Sequence, residues 1–299
     1  MQDNHSVPIA YLKQWAPRGE LCEIRRLDDG MTVRRTSPEA AGFTPRLYEI
    51  ADTPAEIAAD LAARFAAAAP ADVAETLQHV ISTERSQWDA ASRERWIAFL
   101  LTLMFRSPRT VAQVRAAVHE ILDVSARRLR ARYAAKRSDP KAFAEYVLHG
   151  HADAPEKTAT AYLEKVMDGE ATARLLNAMR WARIAVPNSR FSLLTSDDPL
   201  DIPLSLHHQN AYLALPLTPD CVFVASNNAG LLDSLAKQDH SKIVRMMNMA
   251  TVTHAHEYVW CVDESQSAFV KNHFGAAPEQ RLLPDTARQA ALQIGSGSL

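Results

Sequence analysis

The sequence predicts an α+β fold with an N-terminal helix and β-hairpin, a large helical insertion, and a C-terminal, mostly antiparallel sheet with flanking helices. Asp28-Asp29-Gly30 separates two short extended runs, and Asp-Gly supplies the backbone angles that a tight hairpin turn needs. From about residue 53 to 180, apolar residues recur at helical spacing between prolines. After Trp181 the spacing becomes that of strands separated by turn sequences.

The N-terminal elements follow from local signals. A helix is predicted over 8–16, because Pro8 suits a first helical turn, and Pro17 with Gly19 ends it. Strands over 21–26 and 31–36 form the hairpin.

Proline-containing separators divide the helical insertion, because proline disrupts a helix interior. Thr53-Pro54 begins the insertion with a capping hydroxyl and a proline at the first helical position. The helices expected after it cover 72–85, 90–105, 109–135, 141–148, 156–167 and 171–179. Strands are then expected over 182–186, 191–195, 212–215, 221–225 and 258–262, with helices over 231–238, 241–254 and 266–274.

Composition is that of an ordinary globular protein. The 299 residues are 47% hydrophobic and 23% charged, with a net charge of −2, so no global field attracts nucleic acid or membranes. We expect a single α+β domain over 1–294, with the insertion over about 53–180 and a disordered tail over 295–299. The oligomeric state is left open.

Cysteine usage and the N-terminus predict a cytoplasmic protein. The three cysteines have no CxxC spacing and stand beside apolar residues, which is typical of buried, reduced thiols. The chain does not begin with a signal-peptide pattern, and its apolar runs are too short to span a membrane. We therefore expect no membrane partner.

Two polar runs are candidates for a functional site. His5 precedes the first helix, and its imidazole is suited to general acid or base chemistry. Ser196, Asp197 and Asp198 follow a predicted strand and stand before Pro199, where they can hold a water, a metal or a substrate hydroxyl. The alternative is a turn whose side chains satisfy nearby backbone amides.

Arginine and histidine groups offer further candidates. Arg106 ends an apolar helix and is either an anion clamp or a solvated helix terminus. The basic run 127–137 spreads around its helix, so a solvated surface is the commoner explanation. A transition-metal site is a third hypothesis, and its candidate ligands are His207, His208, His254 and His256. Because these side chains need not converge in the fold, we assign no metal ligands and no cofactor.

The order of these motifs resembles the bacterial family called domain of unknown function 4238. The shared pattern includes the opening His-x-Val-Pro-x-x-Tyr-Leu-x-x-Trp, Arg-Ser-Pro at a helix end, Thr-Ser-Asp-Asp-Pro and a late helical asparagine. The resemblance covers about residues 5–262. Ser6 stands where the family usually has a larger aromatic residue, and Asp198 where it usually has asparagine. The family pattern falls on His5, Pro8, Tyr11, Arg106, Ser196, Asp197, Pro199, Pro216 and Asn248.

Because this resemblance implies site residues but no reaction, two function hypotheses stand. The first is a hydrolase, of nuclease or phosphoesterase type, acting on a phosphorylated or nucleic-acid-like substrate. His5 would be the acid or base, Asp197 would orient it or activate water, and Arg106 would hold the anion. Ser196 and Asn248 would donate hydrogen bonds to the substrate, and the other binding residues would be Tyr11 and Asp198.

The second hypothesis is a non-catalytic binding or interaction module, such as an accessory or defence-associated protein. In it the same polar residues form a buried structural network that joins the terminal hairpin to the late sheet. Both hypotheses require the amino end to fold back against the Ser196–Asp197 bend, so that His5 lies within about 15 Å of it.

Overall fold

The computed structural model describes residues 7–42, 72–82, 88–136, 162 and 169–276. Within these ranges, helices and antiparallel sheets confirm the α+β class. The single domain expected over 1–294 stays a prediction, and the tail lies outside the described residues. The chain divides into two compact units, the first comprising Met1–Leu47, Ala68–Arg109 and Gly169–Gln280, and the second Tyr48–Ala67, Thr110–Asp168 and Arg281–Leu299.

The first unit contains a four-stranded sheet that pairs an early hairpin with two strands from late in the sequence. Strands β1 (Leu21–Leu27) and β2 (Gly30–Thr36) form the predicted hairpin, and Gly30 adopts a φ of 146° at its turn. The late strand β7 (Tyr258–Cys261) pairs with β1 on one side and with β4 (Thr195–Ser196) on the other. The order is therefore β2-β1-β7-β4.

A separate three-stranded sheet has the order β3-β6-β5. Its strands are β3 (Arg180–Ala185), β5 (Tyr212–Thr218) and β6 (Cys221–Ser226). Side chains alternate between its two faces because successive residues of a strand point in opposite directions. One face is aliphatic, and the other carries the ring of Phe223, whose centroid lies 5.5 Å from that of Trp181.

The helices agree closely with the sequence-based expectations where both can be compared. The Ser107-Pro108 separator ends one helix and begins the next, since α3 ends at Arg106 and α4 starts at Pro108. A 3-10 turn follows the first helix, and a second precedes the last. The helices are α1 (Ile9–Leu12), α2 (Val73–Ser82), α3 (Ala90–Arg106), α4 (Pro108–Lys136), α5 (Gly169–Ala178), α6 (Ala229–Ala236), α7 (His240–His254) and α8 (Ser267–His273).

The strand expected over 191–195 is wrong for most of its length, since only Thr195–Ser196 is a strand. The N–H of Leu193 donates to the carbonyl of Pro219, and that of Leu194 donates to the side chain of Asn248. These bonds take the backbone out of a strand ladder, although both side chains are buried. The helices expected over 141–148 and 156–167 lie outside the described residues, except for Tyr162, which is helical.

Helix α7 packs on both sheets of the first unit. Ile243 and Met247 join the aliphatic face of the three-stranded sheet, whereas Val252 packs with Cys22 and Val259 of the four-stranded sheet. The aromatic face of the three-stranded sheet packs on α3, with the rings of Trp96 and Phe223 5.2 Å apart. Within the described ranges, no helix combines the length and apolarity needed to cross a membrane.

Candidate functional site

The bend after β4 is held by the carboxylate of Asp197, which is almost completely buried. Its Oδ1 accepts the backbone N–H of His256 at 2.9 Å, and its Oδ2 accepts those of Glu257 at 2.7 Å and Tyr258 at 3.2 Å. These N–H groups lie between the end of α7 and the start of β7. Burial raises the pKa of Asp197, and the three N–H donors oppose that shift because they favour the ionised form.

Tyr11 and Trp15 attach the first helical segment to the chain before this bend. The Tyr11 hydroxyl lies 2.9 Å from Thr195 Oγ1 and donates to the carbonyl of Pro216 at 2.6 Å. The Trp15 indole N–H donates to the carbonyl of Leu193 at 2.9 Å. Burial raises the pKa of Tyr11 well above its usual range. The structure therefore brings Tyr11 next to β4, but the hydroxyl of Tyr11 is hydrogen-bonded to other groups of the protein.

Asn248 on α7 makes hydrogen bonds with both ends of its amide. Its Oδ1 accepts the N–H of Leu194, while its Nδ2 donates to the carbonyl of Ser192 and to Gln266 Oε1, each at 2.9 Å. Asn248 is 2% exposed. The amide thus fixes the irregular segment that leads into β4 against α7.

Ser196 and Asp198 stand on either side of Asp197 and are also buried. The Asp198 N–H donates to Ser196 Oγ at 3.3 Å, which is a local turn contact. Arg109 Nε lies 2.9 Å from Asp198 Oδ2 as an ion pair, without the alignment of a hydrogen bond. Arg109 also donates from a terminal nitrogen to the carbonyl of His254 at 2.9 Å.

The electrostatics of Asp198 follow from these contacts. Burial raises its pKa to about 7, with the Arg109 guanidinium and a hydrogen bond from Ser107 acting against the shift and Asp197 adding to it. Asp198 therefore has a carboxyl that can exchange a proton near neutral pH. Arg106, the expected anion clamp, is half-buried at the end of α3, and the extended Ser107 separates it from α4, which carries Arg109.

A second acidic group lies farther along the same segment. Asp201 is fixed by two backbone hydrogen bonds with Ala214, and its Oδ2 accepts the Tyr212 hydroxyl at 2.9 Å. Burial raises the pKa of Asp201, and burial together with Asp201 raises that of Tyr212.

His254, at the end of α7, has a lowered pKa. Burial, which has the larger effect, and the charge of Arg109 lower it to about 4, so the imidazole is neutral at pH 7.

Asp201, Tyr212 and His254 line a cavity of about 720 Å³ between the aliphatic face of the three-stranded sheet and the helices α6 and α7. Its volume is within the range of small-molecule pockets, about 300–1,000 Å³. Apolar side chains make up most of its wall. They come from both helices and from all three strands, and include Ile184, Ala214, Val222, Val224, Leu231, Leu235, Ile243, Met246, Met247, Met249 and Ala250.

Other residues expected in the site are placed differently or are not described. His5 lies outside the described residues, so its distance from Asp197 stays a prediction. Of the four histidines of the metal hypothesis, His207, His208 and His256 are exposed and His254 lines the cavity. Among the described residues, no group of three or more His, Cys, Asp or Glu side chains is arranged to hold a metal ion.

Sequence reasoning missed Arg109, Asp201 and Tyr212. Arg109 carried a usable signal, because a cation in the first turn of a helix opposes the helix dipole and indicates a nearby anion. Asp201 and Tyr212 stand 11 residues apart and carry no spacing motif. Their pairing depends on the short bridge between Asp201 and Ala214.

A family model described as "Protein of unknown function (DUF4238)" matches residues 3–265. This range includes the bend after β4, the helix α7 and the cavity. No curated protein and no solved structure matches the chain.

We predict that Asp197→Ala lowers the free energy of unfolding by at least about 1–3 kcal/mol, because it leaves three backbone N–H groups without their acceptor. Urea denaturation monitored by circular dichroism measures the loss. The matched control is Asp233→Ala, which removes an exposed aspartate from α6. Equal stability of the two variants would contradict a structural role for Asp197.

We predict a pH-dependent difference in stability between the wild type and Asp198→Asn. The pKa of Asp198 is about 7 in the folded chain against an ordinary 3.8, so its contribution to stability is complete below about pH 4 and is lost as pH rises to 7. The asparagine amide does not ionise in this range, so the stability of Asp198→Asn does not fall in this way as pH rises. Unfolding free energies of both proteins at several pH values give the difference, on the order of a few kcal/mol. A difference that is constant between pH 4 and 8 would be inconsistent with this pKa.

Proposed function

We propose a function for this chain, which belongs to the DUF4238 family of proteins of unknown function: it binds a small molecule in the cavity beside α7. The observation that carries the proposal is the combination of an apolar wall with three polar groups, Asp201, Tyr212 and His254, whose pKa values are shifted by burial. A largely apolar pocket with a few converging polar groups is the usual form of a ligand site.

The contacts of the other polar residues support the second sequence hypothesis, a binding module held by a structural network. The hydroxyl of Tyr11, the carboxylate of Asp197 and the amide of Asn248 each bond within the protein. A catalytic group must instead reach a substrate. We therefore assign these three residues to the support of the fold. The three free, buried cysteines support the expected cytoplasmic location.

We predict that filling the cavity blocks ligand binding. Ala250 is half-buried on α7 and lines the cavity, so Ala250→Trp places an indole inside it. The probe is Nile red, a neutral apolar dye whose fluorescence rises in an apolar site. We expect the wild type to bind one dye per chain and the variant to bind at least about tenfold more weakly, which is about 1.4 kcal/mol.

The control is Ala178→Trp, which adds the same side chain at an exposed position on α5 outside the cavity. It should bind Nile red like the wild type. Binding that is equally strong in all three proteins would place the dye elsewhere and overturn the proposed pocket.

Hydrolysis is a second candidate function, favoured by one observation. Arg109 pairs with Asp198, whose pKa is about 7, and donates to the backbone carbonyl of His254, a residue with a neutral imidazole that lines the cavity. A neutral imidazole can take a proton from water while the water oxygen bonds to a phosphorus or carbonyl carbon. The bond from that atom to the leaving oxygen then breaks, and the imidazolium returns the proton to the leaving oxygen. In this proposal His5 remains the additional acid or base, and Arg106 and Ser196 the additional substrate contacts.

We predict that His254→Ala reduces any hydrolytic turnover of p-nitrophenyl phosphate, p-nitrophenyl acetate or single-stranded DNA by about 10²–10⁴-fold. The control His207→Ala removes an exposed imidazole outside the cavity and should keep the wild-type rate. His5→Ala belongs in the same series, and full activity in it would remove His5 from the mechanism. No turnover by the wild type on any of these substrate classes would leave ligand binding as the function.

A further inference from the structure

One face of α7 runs along the cavity. Its lining residues on this helix include Lys242, Met246, Met249 and Thr253, which are three or four positions apart and share a face. Lys242 and Thr253 are eleven positions apart, and at 1.5 Å per residue this part of the wall is about 16 Å long. A long, narrow ligand fits such a wall better than a compact one.

The wall favours an aliphatic chain over a flat ring. Among the lining residues that the structure describes, the flat rings are those of Tyr212, whose hydroxyl is bound to Asp201, and of His254 at the end of α7. Met246, Met247 and Met249 stand together on the wall, and Met246 is 49% exposed despite its apolar side chain. Methionine is unbranched and flexible, so a cluster of methionines can adapt to a flexible chain.

The two ends of the cavity differ in charge. Lys242 and Arg245 line it near the start of α7, where both are exposed, and within the described part of the chain no carboxylate forms an ion pair with either. The carboxylate of Asp239 accepts the Lys242 backbone N–H as the helix cap. At the other end stand the neutral His254 and the acidic Asp201. An anion is therefore favoured at the first end, where the helix dipole is also positive.

We propose that the ligand is an amphipathic anion, with an aliphatic chain along α7 and a carboxylate or phosphate group at Lys242 and Arg245. This inference rests on the proposed binding function and adds the chemical class of the ligand. The cations select the anionic group, whereas the apolar wall holds the chain.

The test is displacement of bound Nile red by dodecanoate, dodecyl phosphate and 1-dodecanol, which share one chain and differ in the head group. We expect both anions to displace the dye at concentrations about five- to tenfold below that of the alcohol, because each exposed cation adds a modest ion pair. The relative strength of the two anions identifies the preferred head group. Naphthalene-2-carboxylate, a flat anion, should be the weakest of the four.

The double variant Lys242→Ala/Arg245→Ala should lose the preference for the anions and keep its affinity for 1-dodecanol. The matched control Lys271→Ala/Arg190→Ala removes one exposed lysine and one exposed arginine outside the cavity and should keep the preference. Equal displacement by the anions and the alcohol in the wild type would overturn the anionic class, as would an unchanged preference in the double variant.

The two proposals fail in different ways. If the alcohol and the anions bind equally and Ala250→Trp still blocks the dye, the cavity is a ligand site but not one for anions. Tighter binding by naphthalene-2-carboxylate overturns the aliphatic chain. If the wild type shows no specific binding of Nile red, and direct calorimetry detects no binding of dodecanoate or 1-dodecanol to it, both the ligand class and the binding function are overturned.

Discussion

The carboxylate of Asp197 holds three consecutive backbone N–H groups at the point where the chain passes from α7 to β7. Tyr258 begins β7, and its carbonyl accepts the N–H of Asp197. Tyr258 therefore joins the connection between α7 and β7 to the end of β4. The segment from Asp198 to Asp201 starts from this fixed point. The position of Asp201 in the cavity wall therefore depends on a buried carboxyl group whose desolvation is opposed by backbone hydrogen bonds.

Adjacent aspartates at the bend have different partners and different chemistry. Asp197 is surrounded by N–H donors, whereas Asp198 has the Arg109 guanidinium on one side and the charge of Asp197 on the other. Arg109 also contacts the carbonyl of His254 at the end of α7, so it connects the bend to the cavity. The proposed ligand site is thus built on packed elements, because α7 packs on both sheets through Met247 and Val252.

How far the sequence predicted the structure depends on how local each signal was. The hairpin and helices α3 and α7 were predicted to within about two residues, since caps, prolines and Asp-Gly act on their own neighbourhood. The strand over 191–195 was wrong because Asn248 and Pro219, both distant in sequence, take the N–H groups of Leu194 and Leu193. Burial of those leucines produces a strand-like pattern without a strand ladder.

By itself the sequence determined the α+β class, the family resemblance and the group of polar residues around β4. Only the tertiary structure decided that Asp197 and Asn248 bond within the protein, that Arg109 contacts the carbonyl of His254, and that Asp201 and Tyr212 pair in the wall of the same cavity as His254. The physical reason is that residue type fixes what a side chain can donate or accept, but long-range packing fixes which partners reach it and how far it is removed from water.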